Sequence, residues 1–163
     1  MLDRKLAEEL QHYVDTHLQP IFHEMKLYSS EERMISEEIQ NVDIEEFIKI
    51  KRQPAFSKTL FRYIDKKGAS DADIYKRAGL DRRHFSKIRS NPEYKPGKNT
   101  VIALALALEL TKKETDKLLS SAGYSLSDSD TLDLVIQFCL EKKIYNFYDI
   151  NQALDYFSLK PLI

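Results

Sequence analysis

Val101-Ile102-Ala103-Leu104-Ala105-Leu106-Ala107-Leu108 is apolar at all eight positions. A segment without a polar face must be covered on every side, so the chain has to supply several packed elements around it. The run is far short of the roughly 20 residues a membrane span needs. Asn99-Thr100 precedes it as an N-cap signal, and the spacing predicts a central, buried helix over Val101 to Leu108.

Punctuation elsewhere predicts helices throughout. The 163 residues contain only 4 Gly, and Gly68, Gly79 and Gly123 each close an amphipathic run, where a left-handed residue is wanted. Ser29-x-x-Glu32, Ser70-x-x-Asp73 and Thr111-x-x-Glu114 place an acceptor before a helix and a carboxylate at its third position. No stretch alternates with period two, and no Asn-Gly or Asp-Gly hairpin turn occurs. The fold class is all-α. With 42% hydrophobic and 31% charged residues, a core is affordable and wholesale disorder is not expected. The length suits one compact domain, or a small domain with an extension.

Charge divides the chain into blocks. Residues 1–50 carry five Lys and Arg against twelve Asp and Glu, a net of −7. Residues 51–100 carry fourteen against five, or +9, and residues 101–163 six against nine, or −3. The formal charge of −1 is therefore a cancellation, and it does not exclude nucleic acid, because short-range contacts sense the local block. It does predict weak non-specific affinity, since both flanks repel phosphate.

In the acidic extension, residues 1–53, Leu2, Leu6, Leu10, Tyr13, Val14, Leu18 and Ile21 form one apolar stripe that Pro20 should interrupt. The stripe covers the main core or, alternatively, forms a homodimer seam. Further short helices are expected over about residues 30–40 and 43–51, burying Met34, Ile35, Ile39, Ile44, Phe47 and Ile48. The acidic surplus is a solvated face, or else it folds over the basic block.

The basic block, within residues 54–123, is more specific. Phe56, Leu60, Phe61, Tyr63 and Ile64 make the apolar face of a helix ending at Gly68. Ser70 through Ala78 then reads as a short helix, Gly79 as a turn, Leu80 as an inward residue, Asp81 as a cap, and Arg82 through Arg89 as a second short helix held by Phe85 and Ile88. Arg82, Arg83, Ser86, Lys87 and Ser90 fan across its opposite face. After Gly123, in residues 124–163, two more helices are expected, at about 129–142 and 147–157. Tyr145, Phe147, Tyr148, Tyr156 and Phe157 make this layer aromatic, either as core cover or as a partner-binding patch.

The stretch from Ser70 to Arg89 resembles the helix-turn-helix of the lambda-repressor-like (XRE) family, and the resemblance extends over five helices from residue 55 to 122. Ile74, Gly79, Leu80, Phe85 and Ile88 fall at that family's buried and turn positions. The resemblance implies a DNA-binding regulator of bacterial type, with Arg82, Arg83, Ser86, Lys87 and Ser90 on the surface presented to double-stranded DNA. The chain departs from the pattern at Tyr75, where the family has a small residue, at Asp71 and Asp73, which place negative charge on a phosphate-binding helix start, at Arg89, and in the longer loop Asn91 to Lys98. Residues 56–163 also resemble a helical module at the C-terminus of some bacterial macro-domain (ADP-ribose-binding) proteins, through Asp73 to Ala78, Phe85 to Pro92, Tyr94-Lys95-Pro96 and Ala122 to Ser127. In that module Tyr75 and the long loop are normal features, which implies a basic face that meets a protein or a non-operator nucleic acid. No macro domain is present, so ADP-ribose chemistry is not carried over.

Catalytic signals are thin. His12, His17 and His23 are spaced five and six apart, so no pair shares a helix face as metal ligands would. Cys139 lies in the apolar run Leu134 to Leu140 without a neighbouring His, which reads as a small buried hydrophobe. No Gly-rich phosphate loop and no Cys/His set occurs. The expectation is a non-enzymatic, cytoplasmic protein without metal or cofactor; the two surviving functions are a DNA-binding regulator and a protein-interaction or sensor module.

Overall fold

A computed structural model describes residues 3–18 and 41–163. Among these residues every regular element is helical: α1 (Arg4–Leu18), α2 (Asn41–Lys51), α3 (Phe56–Lys67), α4 (Asp71–Arg77), α5 (Arg82–Ser90), α6 (Lys98–Ala107), α7 (Lys112–Ser121), α8 (Thr131–Glu141) and α9 (Phe147–Tyr156). The expected Ser29 cap, the interruption at Pro20 and the helix over residues 30–40 lie outside the described residues.

Two helices are buried nearly all round. Residues Val101 to Ala107 of α6 are buried, and so are Asp133 to Leu140 of α8. Around α6 stand α4 and α7, with α3 against α7; α1 and α9 pack on α8, which also meets α7. The buried side chains form one cluster running from Leu10 to Leu162. Each fully buried Leu contributes about 1.5–3 kcal/mol, whereas intrinsic helix propensities differ by at most about 0.7 kcal/mol among ordinary residues. Burial therefore dictates where α6 and α8 lie.

The start of α6 differs from the sequence expectation. Gly97 is its N-cap, without a side-chain bond, and Asn99 and Thr100 lie inside the first turn. The preceding loop is anchored instead: the Tyr124 hydroxyl donates to the Pro96 carbonyl at 3.0 Å, and Lys98 Nζ donates to Asp133 Oδ2 at 2.6 Å. The other caps form as expected. Ser70 Oγ accepts from the Asp73 amide, Asp81 from the His84 amide, and Thr111 and Glu114 complete a reciprocal capping box.

Leu6, Leu10, Tyr13 and Val14 of the α1 stripe pack within the chain. Leu10 and Val14 are buried against α8, Tyr13 meets the Phe138 ring edge-on at 5.7 Å, and Glu9 pairs with Lys142 at 3.1 Å. Leu10, Tyr13 and Val14 are therefore engaged within the chain. The expectation for α2 is overturned. Its eleven residues bury nothing; Phe47 is 62% exposed, and Ile44 and Ile48 are 41% and 45% exposed.

Gly79 joins α4 to α5 at φ +70°, where the Leu80 amide reaches back to the Tyr75 carbonyl. A Cβ there would sit 2.9 Å from Ile163 Cδ1, the flexible end of a side chain. Gly79→Ala is therefore expected to cost about 1–2 kcal/mol, mostly from left-handed backbone strain. Thermal melts check this; the cost should persist in an Ile163→Ala background, since only the contact and not the backbone strain is relieved there.

Candidate nucleic-acid interface

The predicted site residues come together on α5. Phe85 and Ile88 are buried and fix the helix to the core, while Arg82, Arg83, Ser86, Lys87 and Ser90 are exposed. The Asp81 cap, with the His84 amide 2.6 Å from Oδ1, orients the first turn that carries Arg82 and Arg83. Among the described residues neither arginine has an ion-pair partner, and no ion pair links α1 or α2 to this face.

Other departures from the repressor pattern find partners. Arg89 Nη2 pairs with Asp71 Oδ2 at 2.5 Å, and its guanidinium lies 4.1 Å from the Phe61 ring centroid. Ser70 caps the start of α4, as the spacing predicts, and Asp71 is engaged by a cation. Much of the negative charge at that helix start is thus neutralised, leaving Asp73 exposed in the first turn. Tyr75 is half-buried and rests on Phe85, with ring centroids 5.6 Å apart, so the crossing of α4 and α5 accommodates it as packing.

The loop after α5 folds back. Asn91 Oδ1 accepts from the Glu93 amide at 3.1 Å, which turns the chain and delivers Tyr94 to α5. Its hydroxyl lies 3.1 Å from His84 Nε2, and Lys87 Nζ sits 4.5 Å from its ring centroid. Lys87 is therefore held by an aromatic face, whereas Arg82 and Arg83 extend without such support. Nothing in the sequence pattern pointed to Tyr94 as part of this surface; a tyrosine four residues beyond the helix end is an unmarked signal.

Reactive groups elsewhere are few. Cys139 is buried, and its thiol is pushed up to about 12, chiefly by burial and then by the negative charge of Asp149. A thiol so placed is protonated at neutral pH and makes a poor nucleophile. Among the described residues no three His, Cys, Asp or Glu side chains gather as metal ligands. None of the described helices is long and apolar enough to cross a membrane.

No protein-family model matches the chain, and neither the curated proteins nor the solved structures contain a significant match.

Proposed function

We propose that the chain is a DNA-binding regulator of helix-turn-helix type, with α4 and α5 as the helix pair and α5 as the element that enters the major groove. One observation carries the reading: Arg82 and Arg83 stand exposed, without an ion-pair partner among the described residues, in the first turn of a helix locked to the core by Phe85 and Ile88. In helix-turn-helix proteins the N-terminal residues of the second helix meet base edges. Guanidinium forks there match guanine N7 and O6, and Ser86, Lys87 and Ser90 are suited to phosphate oxygens. On this reading the protein is not an enzyme and uses no cofactor.

Fluorescence anisotropy with a labelled random duplex tests it, using the intact chain over a salt series. The expected result is measurable binding at low salt, with log K falling against log salt at a slope of about −3 to −5, as a few neutralised phosphates give. Absence of binding at low salt, with the protein folded, rejects the proposal.

A protein-interaction module on the same scaffold is the second reading. The observation favouring it is the exposed aromatic face of α9, where Tyr148 and Tyr156 are 64% and 54% exposed. Exposed aromatic side chains of this kind are typical anchors of protein interfaces.

A further inference from the structure

After α4 and α7 the chain turns through Gly79 and Gly123, each at positive φ, and the following amide reaches back to the last turn of the helix. After α8 the same turn is made by Lys143, at φ +56°. Its amide donates to the Leu140 carbonyl at 3.2 Å, and the Ile144 amide to the Cys139 carbonyl at 2.8 Å. A side chain strains a left-handed backbone that glycine adopts freely. After α6, Glu109 holds the equivalent position at φ +53°, and its side chain is engaged, because Lys67 Nζ donates to Oε2 at 2.9 Å. Lys143 has no ion-pair partner among the described residues.

Lys143 and Glu109 line one cleft of about 450 Å³, where the end of α4, the α6–α7 turn and the α8–α9 loop meet. Arg77 brings a second cation from the last turn of α4, and it too has no ion-pair partner among the described residues. Glu109 is the acid of this lining. Its carboxyl is held below the usual range first by the Lys67 hydrogen bond and charge, and more weakly by Arg77. The adjoining cleft beside Tyr63 differs, since its lysines are consumed: Lys66 by Glu114 and Lys67 by Glu109. In the Lys143 cleft the floor is already buried, and the apolar walls are the half-buried rings of Tyr145 and Phe147. The Tyr145 hydroxyl donates to the Leu110 carbonyl at 3.1 Å, which fixes that ring. Asn146 Oδ1 accepts from the Tyr148 amide at 2.8 Å, leaving the side-chain nitrogen as a donor at the rim.

We propose that this cleft binds a small aromatic carboxylate, its charge taken by Arg77 and Lys143 and its ring by Tyr145 and Phe147. A guanidinium matches a carboxylate with two parallel hydrogen bonds, and the volume lies within the range of small-molecule sites. The strained backbone at Lys143 then has a use, since glycine would close α8 as well but would remove a cation from the cleft. The site is independent of the DNA reading, because none of these residues lies on α5.

Titration of the full chain with 2-naphthoate, followed by amide chemical shifts, tests the proposal. The shifts should centre on Lys143, Asn146 and Phe147, with a dissociation constant on the order of 1 mM or below, as a ligand of this size gives at modest efficiency. Acetate, which has charge without a ring, and 2-naphthamide, which has a ring without charge, should each bind at least about tenfold more weakly. Arg77→Gln and Lys143→Gly should each weaken naphthoate by about tenfold. Lys143→Gly should melt no lower than the wild type, because it relieves the left-handed strain, so its lost binding is not lost fold. No binding of naphthoate up to about 10 mM overturns the proposal. So does naphthamide or inorganic phosphate binding as tightly as naphthoate, or unchanged affinity in both variants.

Discussion

Asp133→Ala should destabilise the fold by about 3 kcal/mol, equivalent to a fall of about 6–12 °C in Tm for a chain of this size. The carboxylate is 2% exposed, and its Oδ2 accepts from Lys98 Nζ at 2.6 Å and from the Ser127 amide at 2.8 Å. One side chain thereby ties the first residue of α6 and the loop before α8 to the α8 helix itself. Alanine deprives two donors of their acceptor and leaves an unfilled space among buried neighbours. A buried ion pair broken by removal of one partner costs about 3–5 kcal/mol. The Lys98 side chain is 32% exposed and regains some hydration, which places the expectation at the lower end. Denaturant melts of Asp133→Ala, Lys98→Ala and the double variant separate the pair from the rest. Coupling near zero would show that the ion pair does not hold α6 to α8.

Much of this architecture is legible in the residues, for local reasons. Gly68, Gly79 and Gly123 mark helix ends because they adopt the left-handed conformation found there, and Ser70, Asp81 and Thr111 mark helix starts because their oxygens accept the orphan amides. Phe85 and Ile88 follow from helical spacing and Ile74 from the resemblance to the repressor family, and all three are buried. Non-glycine residues conceal the same ends elsewhere: Glu109, Lys143 and Ser158 also take positive φ, at 53°, 56° and 56°, where the tertiary setting outweighs the cost. Asn99-Thr100 misled because a cap is decided by where the preceding chain is anchored, and here Tyr124 and Asp133 anchor Pro96 and Lys98.

The candidate site was half legible. Side-chain spacing puts Arg82, Arg83, Ser86, Lys87 and Ser90 on one face, and that face is exposed. Asp71 and Arg89, separated by a whole helix and a turn, read as two unrelated departures from the repressor pattern, yet they form one ion pair. Pairing across a turn depends on the crossing of α4 and α5, which periodicity cannot supply. The same limit applies to α2: its apolar residues were expected to be buried because they are apolar, but composition names no partner.

Changing both Arg82 and Arg83 to Ala should reduce duplex affinity by about 10²-fold or more at low salt, because each arginine contact to a base edge or phosphate contributes about 1–3 kcal/mol. Successive helix positions point about 100° apart, so the two side chains reach different atoms of the duplex, and their losses should largely add. Stability should change by no more than about 0.5 kcal/mol, since both side chains are exposed and have no ion-pair partner among the described residues. That separates lost contact from lost fold. Lys160→Ala, an exposed lysine in the chain beyond α9, serves as the control and should leave affinity within about twofold. The pattern of loss then assigns the contacts. A phosphate contact weakens all sequences alike and flattens the salt slope by about 1 for each contact removed, whereas a base contact relaxes preference at one position. Lys87→Ala should cost less than either arginine change, because the Tyr94 ring already holds the ammonium and part of its interaction is made before DNA arrives. If the double variant binds duplex as the wild type does, the first turn of α5 does not read DNA, and the exposed aromatic face of α9 becomes the surface through which the protein acts.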